Sequence, residues 1–343
     1  MTATDRTART AHRGASMGDV AKVAGVSGQT VSRVVNGHTN VDDATRRRVL
    51  AAMDAVGYRP NRAARALRSG RFRTIGVIMF TLSSFGNMRT LDAIAMAATE
   101  ADYAITLLPV AHPTQGDITG ALSRLSEQAV DGVVILIEAH MLDQIDIVLP
   151  PGVPAVVIDS SADYPFPIVD TDQAEGARFA TEHLLELGHK TVWHIAGPVD
   201  SYSAGRRLDS WRATLEAHKA PVPEPLVGDW SSEAGYTLGR TLAANPEVTA
   251  IFTANDQMAL GVLRALHESG RAVPGEVSVV GFDDMDEAAS FWPPLTTVRQ
   301  DFTRVGKHTV AALLAEIDGR PVPTHLDVPT TLVIRESSAP PPR

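Results

Sequence analysis

The chain has 343 residues, of which 44% are hydrophobic, so it is long enough to bury a large core in two or three domains. It contains no cysteine, which excludes disulfide bonds and thiolate metal sites. The sequence has no run of the roughly 18 apolar residues that span a membrane, and we therefore expect a cytoplasmic protein without a membrane partner.

Charge is divided unevenly along the chain. The first 73 residues hold 14 Lys or Arg and 5 Asp or Glu, a net charge of +9, whereas the remaining residues hold 17 and 35, a net charge of −18. A basic head on an acidic body predicts that only the head contacts a polyanion such as nucleic acid, although a solvated basic tail is the plain alternative. Residues 1–15 contain no apolar signal-peptide core and are expected to form a disordered polar tail.

Residues 16–60 have the pattern of three short helices. Apolar residues recur at helical spacing from Met17, and Gly25 follows with the freedom to adopt a positive φ. Ser27 is suited to cap a second helix and Asp42 a third. A helix, a short turn with glycine and another helix predict a helix-turn-helix DNA-binding domain. The third helix is expected to complete its core with Val49, Ala52, Met53 and Val56.

The second helix of this head carries a polar front rich in Ser, Thr and Gln. In a helix-turn-helix this helix lies in the DNA major groove. There Gln29 can read adenine and Arg33 can read guanine, each through two hydrogen bonds. Thr30 and Ser32 are better suited to contact phosphates or sugars, and Asn36, at the end of the helix, is a further DNA-binding candidate. Each of these residues taken singly has an ordinary surface position as its alternative.

Residues 61–72 form a candidate hinge helix between head and body. Asn61 can cap a helix that contains Arg62 and Ala64, but this helix has almost no apolar face and is too short to be stable alone. We expect it to fold on DNA, where Leu67 can insert between base steps of the minor groove. A plain interdomain linker is the alternative.

From residue 73 onward, apolar runs rich in Val and Ile alternate with helical patterns such as 173–187, 205–218 and 257–269. This alternation predicts an α/β body with doubly wound parallel sheets. The body has about 260 residues, which is more than one ordinary domain holds. We therefore expect two lobes, about 73–169 and 170–298, completed by 299–338, with a ligand cleft between them. The strand candidates are TIGVIMF, AITLLPV, DGVVILI, VPAVVID, TVWHIAG, TAIFTAND and VSVVGFDD, together with the shorter LVGDW.

Polar or aromatic side chains follow several of these strand candidates. Ligands bind at the carboxyl ends of strands in open parallel sheets. Carboxylates and amides there can bond to hydroxyls, and a tryptophan can cover an apolar sugar face, so the pattern favours a hydroxyl-rich ligand. Each residue taken singly has a loop cap or turn former as an equally good alternative. The residues are Asp159, Asp229, Trp230, Asn255, Asp256, Asp283 and Asp284.

Stretches along nearly the whole chain resemble the lactose-repressor (LacI/GalR) family. They are DVAKVAGVSGQTVSRVVNG and YRPNRAARAL in the head, and GPVDSYSAGRRLDSW, GDWSSEAGY, ANDQMALGVLRALHESG, SVVGFDD and LTTVRQDF in the body. The resemblance implies a bilobal periplasmic-binding-protein-like core, a homodimer on near-palindromic double-stranded operator DNA, and a small sugar effector, for which a galactoside is the best candidate. By resemblance, the effector-binding residues are Arg207, Asn255, Asp283, Trp230, Gln300, Asp159, Ser203 and, at the far end of the ligand, Phe80.

The chain departs from the family pattern at four places. Its tail before Met17 is longer than is usual in the family. Gly28 stands in place of a tyrosine at the start of the recognition helix, so the operator is not expected to be identical. Phe80 replaces a small polar residue, and Ser84, Phe85 and Asn87 replace an apolar cluster, where the far end of the ligand is expected. The terminal sequence SAPPPR lacks a leucine heptad, which favours a dimer over a tetramer.

The sequence supports three alternative functions to different degrees. An enzyme would need a phosphate-binding loop, a nucleophile elbow or histidines at metal-ligand spacing, and the sequence contains none of these, so we expect no catalytic residue, cofactor or metal. A periplasmic solute-binding protein would have an export signal in place of a basic head. A regulator with another effector, such as a different sugar, a sugar phosphate or a nucleobase, stays open, but a phosphate needs cations in the cleft. Arg207 is the clear candidate, whereas Arg206 is expected at the surface.

Overall fold

The structure of the chain is a computed structural model, and it divides the chain into two compact units, with the boundary between Phe72 and Arg73. Within the part that it describes, no helix is both long and apolar enough to cross a membrane. The residues described are 15–59, 70–79, 82, 84–110, 120–121, 123–125, 129–136, 152–159 and 166–342.

The described part of the first unit, residues 15–59, contains three helices around a small apolar core, which confirms the predicted helix-turn-helix head. Ser16, Ser27 and Asp42 cap the helices, because each side-chain oxygen accepts a hydrogen bond from a backbone N–H of the first turn. Gly25 ends the first helix with a φ of 63°, the left-handed conformation that the tight turn requires. The helices are α1 (Met17–Ala24), α2 (Gly28–Val35) and α3 (Asp43–Val56), and their buried residues include Val20, Val31, Val34, Val49 and Ala52.

The second unit contains two six-stranded sheets, each at the centre of a lobe. The strands are β1 (Thr74–Met79), β2 (Ala104–Pro109), β3 (Gly132–Leu136), β4 (Ala155–Ile158), β5 (Ile168–Thr171), β6 (Trp193–Ala196), β7 (Leu226–Val227), β8 (Ala250–Thr253), β9 (Ser278–Asp283), β10 (Thr296–Arg299), β11 (His325–Val328) and β12 (Thr331–Val333). The first sheet has the order β11-β5-β4-β3-β1-β2 and the second has the order β12-β10-β9-β8-β6-β7. The first five strands of each lobe therefore repeat one doubly wound order.

The predicted parallel sheets need one correction, because β12 pairs with β10 in the antiparallel direction at the edge of the second sheet. Four strands, β5, β10, β11 and β12, were not among the sequence candidates. They have three or four residues each, and their sequences IVDT, TTVR, HLDV and TLV have no long apolar run. Strands this short at or near a sheet edge are defined by their hydrogen-bonded neighbours more than by their own pattern.

Helices cover the faces of both sheets, and the chain crosses between the lobes three times. It passes from β5 in the first sheet to a helix of the second lobe, from β10 in the second sheet to a helix packed on the first lobe, and from β11 to β12. The three predicted helices are confirmed to within a few residues. The α-helices of this unit whose bounds the structure describes are α4 (Phe85–Glu100), α5 (Gln173–Glu186), α6 (Tyr202–Ala217), α7 (Ser232–Ala243), α8 (Asp256–Glu268) and α9 (Phe302–Ile317).

Two glycines allow α7 and α8 to pack backbone against backbone. A Cβ added to Gly261 on α8 would lie 2.1 Å from the carbonyl oxygen of Ser232 and 2.4 Å from the backbone nitrogen of Tyr236. A Cβ on Gly235 of α7 would lie 2.2 Å from the carbonyl oxygen of Met258. The close approach fixes the first turns of both helices, which directly follow the polar strand ends.

Replacement of Gly261 by Ala is therefore expected to destabilise the second unit. The new methyl group meets backbone atoms, which cannot move aside as a flexible side chain would, so we expect a loss of about 3 kcal/mol in the free energy of unfolding. Urea denaturation followed by circular dichroism measures this loss. Gly275→Ala is the matched control, because its Cβ would lie at an ordinary 3.6 Å from Ala272. Equal stability of the two variants would contradict the proposed close packing.

Candidate ligand-binding cleft

Four buried polar side chains form a continuous network at the carboxyl edge of the second sheet. Arg207 on α6 donates from Nε to Oε1 of Gln173 at 2.8 Å and from Nη1 to the carbonyl oxygen of Ala254. The Nε2 of Gln173 lies 3.4 Å from Oε1 of Gln300, whose own Nε2 donates to Oδ1 of Asp283 at 2.6 Å. These bonds hold the guanidinium, the two amides and the carboxyl in fixed positions, and such fixed positions lower the entropy cost of binding a ligand.

Asp283 occupies an electrostatically and conformationally unusual position. Burial raises the pKa of its carboxyl to about 6, while the nearby Arg207 guanidinium and the hydrogen bond from Gln300 act in the opposite direction. The backbone φ is 120° at Asp283 and 51° at Asp284, values that non-glycine residues rarely adopt. Asp284 is held there by ion pairs to Arg299 at 2.6 Å and to Arg335. Surrounding contacts thus impose a backbone conformation that aims Asp283 into the cleft.

Trp230 and Asn255 form the aromatic side of the cleft. The amide Nδ2 of Asn255 donates to the carbonyl oxygen of Trp230 at 2.9 Å, and its Oδ1 accepts from the backbone nitrogen of Met258 at 2.9 Å, which caps α8. Asn255 therefore positions the tryptophan loop as well as lining the cleft. Gly197 lies under the indole ring, since a Cβ there would lie 2.3 Å from a ring carbon. The Arg207 guanidinium carbon lies 5.5 Å from the centroid of the same ring.

These groups line a cleft between the two lobes that encloses about 570 Å³ of empty space, part of it open to solvent. All the effector-site candidates that the structure describes meet in it: Arg207, Asn255, Asp283, Trp230, Gln300, Asp159 and Ser203. Phe80 lies outside the described residues. Ser84, Phe85 and Asn87 line the first-lobe side, where the sequence predicts the far end of the ligand. A cleft lined by a few convergent polar groups has the usual form of a small-molecule site.

The sequence interpretation missed several cleft residues. Asp170 and Thr171 lie within the short strand β5, and Gln173 follows it. Because the sequence does not predict β5, none of the three was identified as following or ending a strand. A glutamine in the first turn of a helix just after a strand is the signal that could have found Gln173. Arg206, expected at the surface, is instead half-buried, and its Nη1 lies 3.7 Å from Oδ2 of Asp170.

Three other polar residues at strand ends act as loop caps or turn formers, which is the alternative that the sequence left open for each of them. Asp229 accepts hydrogen bonds from the backbone nitrogen and hydroxyl of Ser231. Asp256 is fully buried and accepts from the hydroxyl of Thr297 and the backbone nitrogen of Met285, while Asp284 forms the ion pairs described above. The carboxyl groups of Asp229, Asp256 and Asp284 stabilise loops. They do not line the cleft.

In the head, the structure separates the DNA-contact candidates into two groups. Gln29 and Arg33 are exposed and lie one helical turn apart on α2. Thr30 bonds to the Ser27 cap, through its backbone nitrogen at 3.1 Å and its hydroxyl at 2.9 Å. Asn36 ends the helix and donates from its amide to the carbonyl and the hydroxyl of Ser32. Local hydrogen bonds thus orient the second group. The hinge candidates Asn61, Arg62, Ala64 and Leu67 lie outside the described residues.

Residues 16–61 match the sequence family of bacterial regulatory proteins of the lacI type, and residues 181–338 match the periplasmic binding protein-like domain. The lactose operon repressor of Escherichia coli strain K12 is 35% identical over 328 residues, which cover 94% of this chain and 90% of that protein. This chain belongs to the lacI family of bacterial regulatory proteins. It is accordingly a DNA-binding transcriptional repressor whose core binds a sugar or another small molecule.

Solved structures agree with this family assignment. The lac repressor dimer bound to operator and the anti-inducer ONPF has a TM-score of 0.85 and 34% identity to this lacI-family chain, over 95% of this chain and 100% of that one. The transcriptional regulator CelR in complex with cellobiose has a TM-score of 0.70 and 32% identity, over 94% of this chain and 99% of that one. The relatives found in this way are regulators and not enzymes.

Replacement of Asp283 by Asn is expected to change how stability depends on pH. The unfolded carboxyl has a pKa of about 4, and the folded one has a pKa of about 6. Between these pH values the folded state binds more protons, so stability falls as the pH rises through this window and stays low above it. The asparagine side chain of the variant cannot ionise and escapes this loss, which amounts to roughly 3 kcal/mol.

Thermal or urea unfolding of both proteins between pH 4 and pH 8 measures this difference. The stability of the Asp283→Asn variant relative to the native protein should increase up to about pH 7.5 and then stay constant, because the Asp283 carboxyl is then almost fully ionised. A difference that does not vary with pH would contradict the raised pKa of Asp283.

Proposed function

We propose that this lacI-family repressor acts as a homodimer on near-palindromic operator DNA and is released by a small sugar, for which a galactoside is the best-supported class. Such a protein works in the cytoplasm, in association with the nucleoid. The observation that supports the sugar is the prearranged network of Arg207, Gln173, Gln300 and Asp283 beside Trp230. A sugar needs a planar donor, a carboxyl acceptor and an aromatic face, and this cleft contains each of them.

The charge of the cleft favours a neutral ligand. Arg207 and Asp283 face one another through the network, and the first-lobe side adds Asp159 and Asp170 without a lysine or arginine of its own among the lining residues that the structure describes. A phosphorylated effector would meet these carboxylates, and that repulsion would oppose its binding. A neutral polyhydroxyl molecule can instead donate to the carboxylates and accept from the guanidinium.

Similarity to relatives supports both the class of effector and one alternative. The lac repressor that resembles this chain binds operator DNA as a dimer together with the anti-inducer ONPF, which supports the dimer. The name of the related lactose operon repressor supports a galactoside. The CelR structure contains cellobiose, and a different sugar is therefore the second candidate. The first-lobe residues Ser84, Phe85 and Asn87 are where such a preference would be set, because they line the side of the cleft away from the lobe that holds Trp230.

The proposed mechanism couples the DNA-contacting head to the ligand-binding cleft of the body. In the head, α2 presents Gln29 and Arg33 for base contacts, and the segment 61–72, whose Leu67 is the proposed minor-groove wedge, links this head to the body. A sugar that favours one arrangement of the two lobes shifts the population of hinge arrangements in the dimer, and hence the affinity for operator. It can do so only to the extent that it binds the two arrangements with different affinity.

Arg33→Ala is expected to weaken binding to the operator by roughly tenfold to hundredfold, because one two-bonded base contact discriminates by about 1–3 kcal/mol. Fluorescence anisotropy of a labelled fragment from the upstream region of the gene, at fixed salt, measures the affinity. The control is Arg178→Ala, which removes the same charge from the exposed surface of the body. An equal effect of both substitutions would remove Arg33 from the DNA interface.

Asp283→Ala is expected to abolish the response to sugar while operator binding persists, because Asp283 belongs to the cleft and not to the head. Anisotropy of the preformed DNA complex is followed while galactose, lactose, allolactose, cellobiose and unrelated sugars are added. Asp209→Ala, at an exposed position of α6, is the control. Release of the Asp283→Ala variant from DNA at the native sugar concentration would remove Asp283 from the site. Native complexes that galactosides leave intact and cellobiose releases would favour the second candidate.

A further inference from the structure

Asp170 is a buried carboxyl that faces the cleft with one oxygen lacking a hydrogen bond. It lies in β5 on the first-lobe wall of the cleft, and its side chain is 2% exposed. Its Oδ1 accepts from the backbone nitrogen of Thr171 at 2.8 Å, whereas its Oδ2 makes no hydrogen bond. A buried polar atom without a partner costs about 1–3 kcal/mol, so its position at the cleft points to a ligand group as the partner.

Arg206 approaches this carboxyl from the opposite lobe. Its Nη1 on α6 lies 3.7 Å from Asp170 Oδ2, close enough for attraction but beyond hydrogen-bond distance. The neighbouring Arg207 bonds to Gln173, which follows Asp170 by three positions along the chain. The Asp170–Arg206 pair therefore adjoins the polar network of the second lobe and extends it towards the first lobe.

The charges around Asp170 determine which kind of ligand group can form a hydrogen bond with its Oδ2. Burial and the neighbouring Asp159 raise the pKa of the Asp170 carboxyl, and Arg206 lowers it. A ligand hydroxyl can donate to the ionised carboxyl or accept from the protonated one, so it satisfies Asp170 in either state. An apolar group would leave Oδ2 without a partner, and an anionic group would face both Asp159 and Asp170.

We propose that Asp170, beside Arg206, is a further effector-binding residue that bonds a hydroxyl at the first-lobe end of the ligand and selects a disaccharide over a monosaccharide or a glycoside with an apolar aglycone. This inference rests on the proposed sugar-binding function. One ring occupies the network beside Trp230, and the second ring places a hydroxyl between Asp170 and Arg206. The ligand then connects the two lobes, as an effector that changes their arrangement must.

Isothermal titration calorimetry on the full-length protein tests this assignment. The probes are galactose, glucose, lactose, allolactose, cellobiose and an alkyl galactoside, each titrated into the native protein, Asp170→Leu and Asp170→Asn. We expect the native protein to bind a disaccharide more tightly than its monosaccharide, and Asp170→Leu to lose roughly tenfold to hundredfold in disaccharide affinity, as for a hydrogen bond to a charged group. Monosaccharide affinity should change by less than threefold, and affinity for the alkyl galactoside should rise.

The control is Asp327→Asn, which removes a carboxylate of the same lobe whose charge acts on Asp170 and which pairs with His325. This variant should keep the native preference. Asp170→Asn, which preserves shape, should lie between the native protein and Asp170→Leu, and it supplies the result if the leucine variant does not fold. An unchanged ratio of disaccharide to monosaccharide affinity in the Asp170 variants would overturn the role proposed for Asp170 but not the proposed sugar-binding function. No binding of any sugar to the native protein would overturn the proposed function and this inference with it.

Discussion

The buried hydrogen-bond network from Arg207 to Asp283 is the constraint on which the cleft depends. Two of its members stand at crossings between the lobes, because Gln173 closely follows β5 of the first sheet and Gln300 directly follows β10 of the second. Charged and amide groups at such depth must be bonded to one another or to a ligand. A ligand that bonds to this network therefore acts on the segments about which the lobes must move, which couples binding to lobe arrangement.

Several cleft residues have backbone conformations or charges that destabilise the folded protein. Asp283 has a raised pKa and a positive φ, and Asp159 and Trp230 have φ values of 59° and 72°. Non-glycine residues in this region cost of order 1–3 kcal/mol each. These three residues follow or end strands whose surroundings are closely packed, as the contact of α7 with α8 at Gly261 illustrates. A rigid scaffold thus holds a small set of unfavourable positions that aim side chains at a ligand.

Much of the fold follows from local patterns in the sequence. Periodic apolar residues and caps such as Ser27 and Asp42 predict the head, because helix ends and faces depend on neighbours within a few positions. Long Val- and Ile-rich runs predict the central strands, which are buried on both faces. The short strands β5, β10, β11 and β12 escape prediction, because pairing with distant strands decides them. The strand ends Asp229 and Asp283 look alike in sequence, yet one caps a loop and the other lines the cleft.

The sequence by itself determined the two-part organisation, the α/β alternation and the set of polar strand ends, since each depends on composition or short-range spacing. Only the tertiary structure decided which of those ends meet. Gln173 and Gln300 lie 127 residues apart in the chain, and Asp170 meets Arg206 from the opposite lobe. Such contacts depend on the order of strands in each sheet and on where the chain crosses between lobes, and no local pattern encodes either.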